Sequence, residues 1–363
     1  MCNSAFTRLK SPLVGGALLA LASCSLHVSA QFALGESPER VAWETAQDAF
    51  NKEKYALALQ GFEAYLSEMD EGELRSDAHI EAAFKRALCA VYLYHPNADH
   101  LIASFVAEFP DSPYAQTARW ELADLYYARR DWQEALEAFE AVDERKLKPA
   151  ALLELKYKRG HAQFEREQYD EARVDLFEVA EAAGPFQDAA RYYFSHIAYL
   201  RDQPQVALEG FQSLQAKPDF EDLVPIYIAQ LLHETEQYEE LIAYAPPLLT
   251  EDSPLKANRK PEVARLLGDA YYRKQRFAEA LPHLELAWKE TRGAERTRDL
   301  AYQMGFVRMQ GNDWRDALNA FALVTREEDE LAQNALYHMA NAYLELGEKD
   351  KARTAFREAS LLD

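Results

Sequence analysis

Small and apolar positions recur along this chain in one fixed rhythm. An alanine at 58, 98, 135, 172, 207, 280, 317 and 352, with Leu241 in the remaining place, anchors each unit. About twelve residues earlier stand Ala46, Ala87, Ala123, Gly160, Ser195, Ala229, Gly268, Gly305 and Ala340, only the pair Ala87/Ala98 being eleven apart. The units recur every 34 to 40 residues. A period of this length is the mark of a repeat array, and it decides the architecture before any local assignment.

Residues 118 to 142 show the logic of one unit. Leu122, Ala123, Tyr126 and Tyr127 stand at helical spacing, and Arg129-Arg130-Asp131 then interrupts them. Ala135, Phe139 and Val142 follow at i, i+4 and i+7, a single stripe on a second helix. The same stripe recurs as Ala58/Phe62/Tyr65, Ala207/Phe211/Leu214, Ala317/Phe321/Val324 and Ala352/Phe356/Ala359. The small residue of one helix and the alanine of the other let two backbones approach closely. A lone helix pair cannot bury both apolar faces, so units must stack and stability becomes a sum over interfaces. The spacing predicts an all-α solenoid of about nine helix-turn-helix repeats.

Those residues resemble tetratricopeptide repeats: a small residue, an aromatic three or four later, an aromatic at the turn, then A-x-x-x-F-x-x-A. The turn aromatics are Tyr55, Trp132, Tyr169, Tyr238, Phe277 and Trp314. The resemblance covers residues 38 to 363 and implies a right-handed α-α superhelix. One departure is the first-helix tryptophan, whose usual place is taken by an aromatic one residue later. The stretch Phe109-Pro110-Asp111-Ser112-Pro113-Tyr114-Ala115 is similar to inter-repeat linkers of bacterial envelope proteins, among them outer-membrane assembly lipoproteins and periplasmic coordinators of the Tol system.

Residues 1–30 read as an export signal. Arg8 and Lys10 make a basic start, Leu13 to Ala22 an apolar core, and Val28-Ser29-Ala30 a small-residue cleavage site. Leu21-Ala22-Ser23-Cys24 also fits a lipobox, in which Cys24 would be acylated and anchored. Both readings predict export, to the periplasm or the periplasmic face of the outer membrane of a Gram-negative bacterium. No later segment is long and apolar enough for a membrane helix. Residues 31–363 are then one solenoid, with a soft boundary at 251–259, where a polar stretch separates six repeats from three.

Charge and candidate chemistry narrow the function. The formal charge is −21, and loss of Arg8 and Lys10 takes the mature chain to about −23. That field disfavours nucleic acid and anionic lipid, which demand clustered cations. With the signal removed only Cys89 remains, on an apolar helix, so it reads as a buried, inert thiol. H-E-x-x-H, G-x-S-x-G, P-loop and C-x-x-C motifs are absent, and the scattered histidines form no metal-ligand spacing. The expectation is a protein that is not an enzyme, with no cofactor and no metal.

One pattern rises above core packing. Three residues before the small residue come Trp43, Trp120, Tyr157 and Tyr192; four after it come Phe50, Tyr127, Phe164 and Tyr199; between them lie Gln47, Asp124, His161 and His196. Helical spacing puts both sets on one side of the first helices. The resemblance implies that this side lines a concave groove. Trp43, Trp120, Asp124, Tyr127, Tyr157, His161, Phe164, Tyr192, His196 and Tyr199 are therefore candidates for holding a partner peptide or another envelope protein. The competing reading is that the rings brace adjacent repeats. Two functions remain open: a non-catalytic scaffold, or the substrate-positioning or regulatory arm of an envelope enzyme or outer-membrane assembly complex. Ala352, Phe356 and Ala359, followed by Leu361 and Leu362, lack the covering repeat that the other stripes have, and predict either that the chain is the N-terminal part of a longer repeat protein or that its last helix is buried against another chain, self-association through the C-terminal helix included.

Overall fold

A computed structural model describes residues 38–68, 76–290 and 297–362. The predicted signal, with Cys24, lies outside them. Helices follow one another as α1 (Pro38–Asn51), α2 (Tyr55–Ser67), α3 (Asp77–Tyr92), α4 (Ala98–Glu108), α5 (Ala115–Arg129), α6 (Trp132–Glu140), α7 (Pro149–Glu165), α8 (Tyr169–Glu181) and α9 (Gln187–Leu200). The series continues with α10 (Pro204–Leu214), α11 (Val224–Glu234), α12 (Tyr238–Tyr244), α13 (Lys260–Arg273), α14 (Phe277–Glu290), α15 (Arg298–Gln310), α16 (Trp314–Val324), α17 (Glu330–Glu345) and α18 (Lys349–Ala359). There is no strand among the described residues. Odd-numbered helices are the first of each repeat and even-numbered helices the second, as in a tetratricopeptide-like α-solenoid.

Each first helix passes to its second through one residue in the left-handed region. These are Glu53, Tyr94, Arg130, Glu167, Asp202, Glu236, Gln275 and Asn312, with Gly347 in the last repeat. All but one stand five residues before the anchoring alanine or leucine. Tyr94 stands four before Ala98, so the eleven-residue spacing of the second repeat is taken up inside its turn. The left-handed residue lets the following amide bond back to the end of the first helix, as Asp131 N does to Tyr126 O at 3.0 Å.

The small residues are where the two helices of a repeat touch. A Cβ on Gly160 would stand 2.9 Å from Leu176 Cγ, and one on Gly268 would stand 2.6 Å from Leu284 Cδ2. In two repeats the arrangement is mirrored, the glycine lying on the second helix: a Cβ on Gly61 would meet Ala46 Cβ at 2.8 Å, and one on Gly210 would meet Ser195 Oγ at 1.9 Å. Phe62, Phe139, Phe211 and Phe321 are the largest side chains sealed in the resulting core. Burying one such ring contributes roughly 1.5–3 kcal/mol.

The ends of the second helices are closed by a device that the spacing does not reveal. Gln116 Nε2 donates to Asp143 O at 3.0 Å, Arg298 Nη2 to Val324 O at 2.8 Å, and Gln333 Nε2 to Ala359 O at 3.1 Å. All three donors stand seven residues before the small residue of their repeat. Val324 and Ala359 are the last residues of α16 and α18, whose end carbonyls lack an intrahelical partner, whereas Asp143 lies in the turn after α6 and its carbonyl also accepts from Lys146 N at 3.0 Å.

Contacts divide the chain into two compact units, Met1–Cys89 and Ala90–Asp363, the division falling inside α3. The first unit packs Ala46, Ala58, Phe62, Ala82 and Cys89 into one core. Burial pushes the Cys89 thiol up to about 12, consistent with an inert thiol. In the second unit consecutive pairs stack, and first helices also touch directly: α7 on α9, α11 on α13, α13 on α15 and α15 on α17. The polar stretch 251–259 lies within this unit. It is tied back by Asp222, whose Oδ1 accepts from Lys256 N at 2.8 Å.

The C-terminal stripe is covered in part. Ala352 and Ala359 are buried, and Phe356 packs against Tyr337 with ring centroids 5.7 Å apart. The large apolar side chains left exposed here are Tyr337 (53 %) and Leu344 (47 %) on α17, and Leu361 (74 %). Phe356 is half-buried where its counterparts Phe62, Phe139, Phe211 and Phe321 are sealed, and Tyr337 and Leu344 stand three before and four after the small residue Ala340.

Candidate partner-binding surface

The first helices of the second unit are joined, side chain to side chain, by a ladder of polar bonds about one repeat in reach. Asp124 accepts from Lys158, one helix on. Tyr127 Oη and His161 Nδ1 are 2.7 Å apart, and Tyr199 Oη donates to Glu234 Oε1 at 3.0 Å. His233 Nε2 and Asp269 Oδ2 are 2.5 Å apart, and Asp269 also accepts from Gln303. Tyr302 Oη and His338 Nε2 close the series at 3.1 Å. Within the first unit Gln47 does the same work, donating to Glu81 Oε1 at 3.0 Å and accepting from Lys85.

Aromatic rings fill the spaces between these rungs. His161 lies 4.6 Å from Tyr193, Phe164 4.9 Å from Tyr193 and 5.5 Å from His196, and His196 5.2 Å from Tyr227. His161 and His196 therefore each meet rings of the neighbouring helix. Tyr157 stacks on Phe186 at 4.8 Å, and Tyr192 meets both Phe211 and Phe220. In the first unit Trp43 packs on Phe62 and Tyr65. Edge and offset ring pairs of this kind add roughly 0.5–1.5 kcal/mol each beyond the area they bury.

Burial sorts the ten expected site residues. Tyr157 and Tyr192 keep only 6 % and 3 % exposure, so their rings are interior braces and not contact area for a partner. The other eight, Trp43, Trp120, Asp124, Tyr127, His161, Phe164, His196 and Tyr199, are half-buried. The four residues three before a small residue do not share one fate: Phe186 and Phe220, just before α9 and α11, pack on Tyr157 and Tyr192, whereas Trp43 and Trp120 in the same slot keep an edge.

Sequence reasoning missed the partners of these residues. Lys158 lies over the Trp120 ring at 5.4 Å while bonding Asp124 and Glu154. Tyr193 and Tyr227 both stand two before a small residue, outside the slots three before and four after it. The 34-residue interval from Asp124 to Lys158 was a readable signal for the first of these.

The electrostatics of the ladder are uneven. Burial pushes the Glu121 carboxyl up to about 7, aided by the carboxylates of Asp124 and Glu154 and opposed by Lys158. Burial likewise lowers His196 and His338, favouring neutral imidazole. Asp269 is buried, which works to raise it, yet His233, Arg273 and Gln303 together hold it below the usual carboxylate range. Burial raises the phenols of Tyr127 and Tyr157. Among the described residues no group of three or more His, Cys, Asp or Glu is placed to hold a metal ion. No described helix is long and apolar enough to cross a membrane.

A tetratricopeptide repeat family model matches residues 96–151, 121–188 and 302–360. These matches support reading the chain as a tetratricopeptide repeat protein, in agreement with its helix-pair fold. Among solved structures the chain is similar to the C-terminal part of a TPR repeat-containing protein from Cytophaga hutchinsonii, at 17% identity over 66% of this chain and 94% of that one, with a TM-score of 0.48. It is also similar to a tetratricopeptide repeat protein from Parabacteroides merdae, at 15% identity over 72% of this chain and 98% of that one, with a TM-score of 0.41. Comparison with curated proteins returned no match.

Proposed function

We propose that this chain is a non-catalytic protein–protein interaction scaffold that holds a partner protein or peptide against its first-helix side. The observation that carries this reading is the ladder itself. Asp124, Tyr127, His161, Phe164, His196 and Tyr199 are fixed by neighbours on the next helix and still keep an uncovered edge. Aromatic edges and polar atoms held in place before binding lose little entropy on association. A tetratricopeptide fold suits such a role, since stacked repeats offer a long surface and no enclosed reaction chamber.

The export reading of residues 1–30 supports a place in the bacterial envelope, in the periplasm or at the periplasmic face of the outer membrane, with Cys24 as the alternative lipid anchor. The outward Tyr337 and Leu344 support association of the C-terminal repeat with another chain. Light scattering on the protein with and without Tyr337→Glu and Leu344→Glu tests that last point: a monomer at every concentration, unchanged by the glutamates, removes it.

Site-specific photo-crosslinking tests the main reading. A crosslinking residue at Asp124 or Tyr199 is expected to trap a discrete partner in the native cell, while one at exposed Val174 on α8 is not. Equal trapping at all three positions, or none at Asp124 and Tyr199, contradicts it.

A further inference from the structure

Two surface clefts of the second unit occupy equivalent places one repeat apart. Between α15 and α16 a cleft of about 160 Å³ is lined by Ala301, Met304, Arg308, Asn319, Ala320 and Leu323. Between α17 and α18 a cleft of about 320 Å³ is lined by Leu336, Met339, Tyr343, Thr354, Ala355 and Glu358. Each residue of the second set stands 35 positions after its counterpart in the first. The repeats thus provide an internal comparison of one site in a partly filled and an open form.

In the earlier repeat the cleft is plugged from outside. Trp288, at the end of the preceding second helix α14, lines it and packs against the core of Ala301 and Ala317. Three residues before it, Glu285 Oε1 accepts from Arg308 Nη2 at 2.9 Å, so an aromatic plug and an ion pair act from one helical turn. In the last repeat the preceding helix α16 offers only Ala322 and Thr325 at the places of Glu285 and Trp288. Tyr343 stands where Arg308 was, and nothing aromatic enters from α16.

The rim has also changed sign. Asp350 and Glu358 flank the open cleft on the exposed face of α18, together with Thr354 at the middle of an i, i+4, i+8 row. The one cation of the lining, Lys351, is taken up by Glu348 at 2.7 Å. The Asp350 carboxylate makes a loose contact, 3.8 Å to Arg353, while Thr354 Oγ1 donates to Asp350 O at 3.0 Å. Where the filled cleft offers an arginine to an acidic plug, the open cleft offers carboxylates.

We propose that the α17–α18 cleft is a second docking site, taking an aromatic side chain from a partner helix that carries a lysine or arginine one turn away. The aromatic ring enters over Leu336, Met339 and Ala355 as Trp288 does one repeat earlier, and the cation meets Asp350 and Glu358. The site is separate from the first-helix ladder. Its α17 residues lie roughly 130° around the helix from Tyr337, Asn341 and Leu344, at 100° per residue. Its success or failure therefore leaves the first-helix reading untouched.

The chain supplies its own probe. A fluorescein-labelled peptide of the α14 sequence, residues 277–290 with Glu285→Lys, carries the plug tryptophan and the reversed charge. Fluorescence anisotropy with the whole protein is expected to show saturable binding. That binding should fall at least tenfold with Trp288→Ala in the peptide, and at least tenfold with Thr354→Arg or the pair Asp350→Lys and Glu358→Lys in the protein. These protein positions are exposed, so circular dichroism should stay unchanged and a fold defect is separable from lost binding. No saturable binding, binding indifferent to Trp288, or binding unaffected by the cleft substitutions overturns the proposal. So does sedimentation showing that the cleft is closed by a second copy of the chain, with an oligomer that the same substitutions dissolve.

Discussion

Gly305 and Phe321 are in contact because neither could be larger: a Cβ at 305 would stand 2.8 Å from Phe321 Cε1. The ring is fully buried and fixed between Ala301, Ala317 and Ala335, so it has nowhere to retreat. Gly305→Ala is expected to cost about 1–3 kcal/mol through overpacking, measurable by urea denaturation. A variant as stable as the parent would show that the two helices can part without penalty.

Glu121 gives the ladder a pH dependence. Its folded pKa of about 7 lies above the unfolded value, so the fold favours the protonated carboxyl. The stability this gives is complete below the unfolded pKa and is lost as pH rises through about 7. Glu121→Gln, always neutral, is expected to leave stability unchanged at acidic pH and to raise it by about 1–3 kcal/mol above neutrality. Thermal denaturation at both pH values checks this, and equal effects at both would contradict it.

The turns carry avoidable strain. Arg130 at φ 65° and Glu236 at φ 57° hold left-handed conformations that a side chain disfavours, and only the last repeat uses glycine there. Arg130→Gly and Glu236→Gly are each expected to stabilise by about 0.5–1 kcal/mol, the relief at the turn exceeding the entropy glycine adds to the unfolded chain. Loss of stability in both would show that the side chains, not the backbone, set these turns.

Tyr157 and Tyr192 behave as core residues. Each change to alanine is expected to cost about 3–5 kcal/mol, the range for a large buried ring. Tyr157→Phe should cost far less, since it keeps the ring that stacks on Phe186. Denaturation midpoints decide it, and an alanine variant of undiminished stability would return these rings to the partner surface.

The fold was readable in the sequence because its cause is local and repeated. Ala135, Phe139 and Val142 state their face by spacing alone, and the slip at Ala87/Ala98 was visible before Tyr94 explained it. Even the turn aromatics fell at the starts of the second helices α2, α6, α8, α12, α14 and α16. What spacing could not state was which side of a slot the next repeat covers. Tyr157 and Asp124 lie on the same helical side, yet one is sealed and the other keeps an edge, since burial there depends on α9 and α7 and not on the residue's own helix. The bonds of Gln116, Arg298 and Gln333 were hidden for the same reason: they join helices some 26 residues apart through long polar side chains with many alternatives.

Amide hydrogen exchange on the parent and Gly305→Ala tests the repeat account most directly. If stability is a sum over neighbouring repeats, protection should fall in α15 and α16 and in the adjoining α13, α14, α17 and α18. Helices α7 to α10 should exchange as in the parent. An equal loss of protection from α5 to α18 would mean that the second unit unfolds as one cooperative globule, and the solenoid account would fail.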